Sequence, residues 1–310
     1  AADRLLTLLP ETLDAVYFVN SGAEAIDAAM KLVRRVTHRS KILAVEGGYH
    51  GNTFGALSVS SNAERKAPFA PLVGDIELIP WNDMEGLEAI DASVAGIILE
   101  TVQGDAGIRI PNPEWLRTIR DKCTQTGAHL VLDEIQCGFG RSGRPFAFEH
   151  FGVEPDHLCL GKALGGGMPM GALVSSKEHL QQFAHSPSLG HITTFGGHPV
   201  PCAASAAASA LLQSTDWNRV EQVGQTIEAA MRGCARVREV RRIGLYIAVE
   251  LESSETVNEV VQTAMQRGVL VFYFLSTPQA FRIAPPLNIN DVDLNEALDT
   301  LIACIEQAHA

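Results

Sequence analysis

The chain has 310 residues, 46% apolar and 19% charged, enough to bury a sizeable core and to form one large domain plus a smaller one. Its 24 basic residues are outnumbered by 36 acidic ones, a formal charge of −12, which argues against nucleic acid or an anionic membrane surface as a partner. No apolar run approaches the roughly 18 residues that a membrane span needs, and Ala1-Ala2-Asp3-Arg4-Leu5 lacks the basic-then-apolar pattern of a signal peptide.

In chain order, Leu5 to Pro10 reads as the tail of a helix, so a further segment is expected to precede it. Ala15–Val19 is a strand that runs directly into Asn20-Ser21-Gly22-Ala23-Glu24, where Ser21 and Glu24 have capping-box spacing. Ile26, Ala29, Met30 and Val33 then recur at helical intervals. A strand, a tight Ser-Gly turn and a helix N-terminus together offer an anion site suited to phosphate, although the same pattern also fits an ordinary capped helix. Lys41–Val45 is the next strand; its exit, Gly47-Gly48-Tyr49-His50-Gly51, sets an aromatic among glycines at the strand end where open parallel sheets place ligands. Tyr49 there could stack on a planar ring or merely wedge the loop.

Further strands are expected at Asp75–Pro80 and Ser93–Glu100, with a short helix at Asp83–Ile90 between them. A helix is expected over Pro113–Gly127, opened by Pro113 and closed by Gly127. Ala128–Asp133 is a buried strand with a carboxylate at its exit. At period two, Asp133 and Ile135 point the same way. An ionised Asp133 needs a partner, which could be a protonated ring nitrogen, or Arg141 or Arg144 in the following loop. His157–Leu160 is another buried strand, and Lys162 follows it, one of only six lysines in the chain. In apolar company at a strand exit an ammonium is costly, so the pKa of Lys162 is expected to fall, and a lysine neutralised in that way can form a Schiff base with an aldehyde. The plainer alternative is a half-buried lysine with its tip in solvent.

Gly171–Ser175 reads as a strand and Lys177–Ala184 as a helix; the alanine-rich Val200–Leu212 reads as a helix buried on all sides. Beyond Thr215 the texture becomes that of a small α+β domain: a helix to about Arg238, strands at Ile243–Leu251, Val269–Phe274 and Phe281–Ala284, and helices at Glu255–Arg267 and Asp291–Ala308. The domains are therefore expected at 1–214 and 215–310. The six cysteines, Cys123, Cys137, Cys159, Cys202, Cys234 and Cys304, form no CxxC pair and suggest buried thiols in a reducing, cytoplasmic setting. The ten histidines show no metal-ligand spacing on one helix, and no metal site is expected.

Seven stretches taken together resemble the class III pyridoxal-phosphate aminotransferases (the ornithine, acetylornithine and 4-aminobutyrate type) over essentially the whole chain. They are Ser21-Gly22-Ala23-Glu24-Ala25, Gly48-Tyr49-His50-Gly51, Glu100-Thr101-Val102-Gln103-Gly104, Asp133-Glu134-Ile135-Gln136, Gly161-Lys162, Thr193-Thr194-Phe195-Gly196-Gly197 and Arg282-Ile283-Ala284-Pro285-Pro286-Leu287, in the family's order. The resemblance implies an α/β fold of fold type I: a mostly parallel central sheet flanked by helices, plus a small C-terminal α+β domain, with a family N-terminal segment missing from this sequence.

The resemblance also assigns roles. Lys162 would form the Schiff base with pyridoxal 5′-phosphate and shuttle the proton. Asp133 would keep the pyridine nitrogen protonated, Tyr49 and Ile135 would sandwich the ring, and Gln136 would bond its phenolic oxygen. Ser21, Gly22 and Ala23 would hold the phosphate, with Thr194 reaching the phosphate of a neighbouring subunit in a homodimer. Arg282 would pair with the substrate carboxylate, with Glu100 and Asp105 beside the substrate. The implied reaction moves an amino group, the ω-amino group of an ornithine- or acetylornithine-like donor, to a keto acid such as 2-oxoglutarate by a ping-pong route. Two departures bear on the substrate: Asp105 stands where many ω-amino-acid members carry glutamate, and Asn52 where ornithine and acetylornithine members often carry arginine. Other reactions on the same fold (a decarboxylase, racemase or phospho-amine lyase) and a non-catalytic scaffold are the competing readings. A nicotinamide enzyme is disfavoured because no G-x-G-x-x-G follows a first strand.

Overall fold

The computed structural model describes residues 1–308; the last two positions of the expected small domain lie outside the described residues. The chain forms two compact units.

The first unit comprises residues 1–102, 111–139 and 145–214. Its elements are α1 (Ala2–Leu6), β1 (Ala15–Val19), α2 (Gly22–Thr37), β2 (Lys41–Val45), α3 (Phe54–Val59), α4 (Ala63–Lys66), β3 (Ile76–Ile79), β4 (Val94–Glu100), α5 (Pro113–Thr126), β5 (His129–Asp133), β6 (His157–Leu160), β7 (Gly171–Ser175), α6 (Lys177–Gln181) and α7 (Pro199–Gln213). The seven strands form one sheet in the order β1-β7-β6-β5-β4-β2-β3. All neighbours are parallel except β7, which is antiparallel to both β1 and β6. The C-terminal ends of β1, β2, β4, β5 and β6 therefore share one edge. Strand β4 is buried at every position, as a central parallel strand covered on both faces must be.

Helix α2 explains why Ser21 is held where it is. Its apolar face, Ala25, Ile26, Ala28, Ala29, Leu32 and Val33, is buried against Ile42, Ala44, Ile98 and Val131 of the sheet. Each large aliphatic residue there contributes about 1.5–3 kcal/mol on burial, so the helix start is fixed to the sheet edge. The capping box forms with a shift. Ser21 Oγ accepts from Glu24 N at 3.2 Å, but Glu24 Oε2 reaches back to the backbone N–H and the Nδ2 of Asn20.

Several sequence expectations need correction. Residues 83–90 form only a 3₁₀ turn, Glu85–Ala89, while α3 and α4, six and four residues long, are too short for a helical period to show in the sequence. Helix α6 ends at Gln181, three residues early. Helix α7 is not buried on all sides: Ser205, Ser209 and Leu212 face inward, whereas Val200 and Leu211 are exposed. Alanine permits close packing but does not require it on every side.

The second unit comprises residues 103–110, 140–144 and 215–310. It contains α8 (Trp217–Arg232), β8 (Glu239–Ile243), β9 (Tyr246–Glu250), α9 (Ser254–Gln266), β10 (Phe272–Tyr273), β11 (Ala280–Ile283) and α10 (Asp291–Gln307). The strands make an antiparallel sheet in the order β10-β11-β9-β8, with a core that includes Val223, Ile227, Ile247, Val249, Val260, Phe281, Leu298 and Leu301. The single strand expected at Ile243–Leu251 is instead the second arm of a hairpin. Gly244 turns the chain at φ 57°, and a Cβ there would lie 2.2 Å from Gly143 N. The arginines of β8 disguise that arm as a helix tail. Arg242 bonds Glu221 and Glu228 of α8, so its charges are paired across elements rather than along a helix.

Candidate active site

Five strand exits meet around one cavity of about 370 Å³, entirely within the first unit. It is lined by Ser21, Gly22 and Ala23 after β1, Tyr49 and His50 after β2, Glu100 at the end of β4, Asp133, Ile135 and Gln136 after β5, and Lys162 after β6. Nine of the expected site residues (Ser21, Gly22, Ala23, Tyr49, Glu100, Asp133, Ile135, Gln136 and Lys162) are thus gathered in one place. Thr194 does not line this cavity and is exposed. Asp105 and Arg282 belong to the second unit. Asp105 accepts from Leu275 N and from Ser276 Oγ at 2.6 Å. Arg282 is half-buried on β11, and its side chain makes no hydrogen bond or ion pair among the described residues.

Asp133 is buried, and its Oδ1 accepts from Ile135 N at 3.0 Å. Its partner is neither Arg141, which donates to the carbonyls of Leu245 and Pro285, nor Arg144, but His50: Asp133 Oδ2 lies 2.7 Å from His50 Nδ1. Burial alone would push the His50 imidazole down, but the hydrogen bond and charge of Asp133, with the charge of Glu100, outweigh it and hold His50 above its usual value. Glu100 Oε1 in turn accepts from Tyr49 N, and Ser60 Oγ accepts from His50 N. Arg65 lies over the Tyr49 ring, 5.9 Å from its centroid.

Lys162 departs from expectation. It is exposed, and its backbone is left-handed at φ 45°. The apolar run before it ends as β6, and the loop then lifts Lys162 out of the core. A β-carbon residue in that region is strained by roughly 1–2 kcal/mol. Strain of this kind collects at functional positions, where the surroundings enforce it.

The cavity fits pyridoxal phosphate on this chain's own geometry. Free N–H groups at the start of the 16-residue α2 face it. The floor is narrow: a Cβ on Gly22 would lie 2.6 Å from Ile135 Cδ1, so only glycine lets the turn before α2 and Ile135 share this space. A buried carboxylate on a basic imidazole stands at the same cavity.

Glu134, next to Asp133, points elsewhere. It is fully buried and accepts from Thr101 Oγ1 (2.9 Å), Phe148 N (2.7 Å) and Ala147 N (2.7 Å), tying the 145–150 segment beneath the site. Burial raises its carboxyl to about 7 against these three donors. Its folded value exceeds its ordinary 4.5, so the native state holds the proton more tightly in that interval. Its contribution to stability is full below 4.5 and is lost as pH rises through about 7. Glu134→Gln turns an amide N–H₂ towards one of the donors. We expect a cost of about 1–3 kcal/mol at neutral pH and a flatter pH dependence of urea unfolding in this interval; an unchanged slope would refute the assignment. Sequence reading missed both Glu134 and the role of His50. The only signal was their position beside residues already singled out.

The fold and this cavity define a class. Residues 1–305 match the model of the aminotransferase class-III family, and the chain belongs to that family. It is a pyridoxal-phosphate-dependent aminotransferase, which takes an amino donor and a keto-acid acceptor. Its relatives include the acetylornithine aminotransferases of Methanopyrus kandleri (41% identical, covering 97% of this chain and 77% of the relative) and Methanosarcina acetivorans (39%, covering 96% and 73%). Among solved structures, the ornithine aminotransferase of Toxoplasma gondii superposes with a TM-score of 0.88 at 30% identity, covering 96% of this chain and 73% of that one. A transaminase from a marine Virgibacillus gives a TM-score of 0.88 at 26% identity, with 98% and 77% covered.

Proposed function

We propose that the chain transfers the ω-amino group of an ornithine- or acetylornithine-like donor to a keto acid such as 2-oxoglutarate, in two half-reactions with the first product leaving before the acceptor enters. The observation that carries this reading is the convergence of Lys162, the His50–Asp133 pair and the α2 N-terminus on one cavity. The names of the relatives favour the donor class. When bound, pyridoxal phosphate supplies a carbonyl for the amine and a ring that withdraws electrons from the donor carbon. Ser21, Gly22 and Ala23 hold the phosphate, and Gln136 bonds the phenolic oxygen. Tyr49 and Ile135 would flank the ring, and Asp133, hydrogen-bonded to His50, would face its nitrogen. Lys162 would be the residue that holds the cofactor through its amine, and its Nζ would move the proton at the donor carbon. Arg282, whose side chain has no hydrogen-bond or ion-pair partner among the described residues, would take a substrate carboxylate bidentately, and Glu100 and Asp105 would each contribute to substrate recognition.

The first unit serves as the cofactor domain and the second as the small domain. The working form is a homodimer in which Thr194 reaches the partner's phosphate; this is favoured by the exposed Leu189, Ile192, Phe195 and Leu211 around that segment. The setting is cytoplasmic, consistent with six free cysteines, and no helix among the described residues is long and apolar enough to cross a membrane.

The cofactor-loaded protein is tested with acetylornithine, ornithine and 4-aminobutyrate against 2-oxoglutarate, reading glutamate formed. We expect acetylornithine or ornithine to exceed 4-aminobutyrate in kcat/KM by tenfold or more, about 1.4 kcal/mol. Consumption of the donor without any keto acid, with release of carbon dioxide or phosphate, would overturn the proposal.

A further inference from the structure

At the opposite end of the strands that carry Asp133 and Lys162, three histidines meet. His129 opens β5, His157 opens β6 and His179 lies on α6. The register explains the meeting. Val131 pairs with His157 across the parallel ladder, and His129, two residues earlier, faces the same side as Val131. His157 also pairs with Ser175 of β7, just before the turn into α6.

The His129 and His157 rings stack at 25° with centroids 5.0 Å apart, and the His179 ring lies 4.8 Å from the first and 5.4 Å from the second. One nitrogen from each ring falls within 4.8 Å of the other two. His129 Nδ1 and His157 Nε2 are 2.7 Å apart, sharing one hydrogen. His157 is fully buried, and its Nδ1 has no hydrogen-bond partner among the described residues. The neighbouring carboxylate, Asp156, is already committed to Arg120 and to Leu130 N, so it lends charge without competing as a ligand.

We propose that His129, His157 and His179 form a binding site for a divalent transition ion of the zinc, cobalt or nickel kind, distinct from the Lys162 cavity. Imidazole nitrogens suit these borderline ions and not magnesium or calcium. Three histidines and an open fourth position make a recurrent zinc set. On binding, the hydrogen shared by His129 and His157 moves to the far nitrogen of its own ring, so both facing lone pairs meet the ion and no charge is lost from the rings. The pair then opens from 2.7 Å to about 3.3 Å, the separation set by metal–nitrogen bonds of about 2.0–2.1 Å in a tetrahedron. His179, half-exposed on a five-residue helix, closes from outside. Ser175 Oγ, 3.4 Å from His179 Nδ1, is placed to orient that ring through its other nitrogen. The ion would tie the starts of β5 and β6 to α6.

The test uses the cofactor-loaded full chain, treated with chelator and desalted, and titrated with Co²⁺ while visible d–d absorption is followed. One Co²⁺ per chain is expected, displaced by Zn²⁺ but not by Mg²⁺, with affinity falling at least tenfold in His179→Ala and in His129→Gln. Zn²⁺ is expected to raise the melting midpoint of the wild type and not that of His179→Ala. His157→Ala empties a core position and is unsuitable alone, whereas His179 sits on a surface helix and its loss leaves the sheet intact. No cobalt spectrum at stoichiometric ion, or equal affinity in wild type and both variants, would overturn the proposal.

Discussion

Lys162→Ala is expected to lower amino transfer by about 10⁴-fold or more while leaving the fold intact. On the proposed reading, removing the proton shuttle alone would account for about 10²–10⁴, and the same nitrogen would supply the covalent link to the cofactor. Structure survives because the side chain is exposed and makes no hydrogen bond or ion pair among the described residues. Lys162→Gly sharpens the test. Glycine adopts φ 45° freely, so this variant should be at least as stable as the wild type, by up to about 1 kcal/mol, and equally inactive. Gain of stability with loss of activity is the signature of strain held for function. Glutamate formation, cofactor retained on gel filtration and urea unfolding read the three quantities. Turnover near wild type in either variant would remove Lys162 from the proposed chemistry.

His50→Ala is expected to cost about 3–5 kcal/mol in the cofactor-free protein, because Asp133 then keeps a buried charge with only the Ile135 N–H to satisfy it. The loss should be smaller in the cofactor-loaded protein if, as proposed, the ring nitrogen faces Asp133, and cofactor binding adds its own stabilisation. The pH dependence has a defined sign. His50 is held above its usual value in the folded state, so its contribution is complete below the ordinary imidazole range and fades as pH rises through the folded value. His50→Ala abolishes that fading. Melting midpoints across neutral pH, with and without cofactor, decide it; equal losses in the two forms would separate His50 from cofactor binding.

The second copy of the His50–Asp133 logic is absent at Glu134, and the contrast is informative. Two adjacent acids leave β5 on opposite sides. Asp133 meets an imidazole and the cavity, whereas Glu134 meets three neutral donors in the core. Alternation along the strand direction separates them, and Glu134, buried among neutral donors, has its carboxyl raised to about 7.

Much was legible from residue order alone. The strands at 15–19, 41–45, 157–160 and 171–175 lie where period and composition place them, since each is short, apolar and bounded by a turn or a glycine. Parallel strands then deliver their exits to one edge, which is why nine site residues converge. Tertiary structure decided what depends on partners far apart in the chain. The Gly244 hairpin was hidden by a charged arm in which Arg242 finds its carboxylates on α8 and Arg241 finds its own on the two strands of the hairpin. Lys162 is exposed because its loop, not its preceding strand, sets its surroundings. His50 finds Asp133 across 83 residues, and His129, His157 and His179 meet only because sheet register and the turn into α6 bring three separate elements together. Local sequence carries backbone preference and capping; the identity of a side chain's neighbour is a property of the packed sheet.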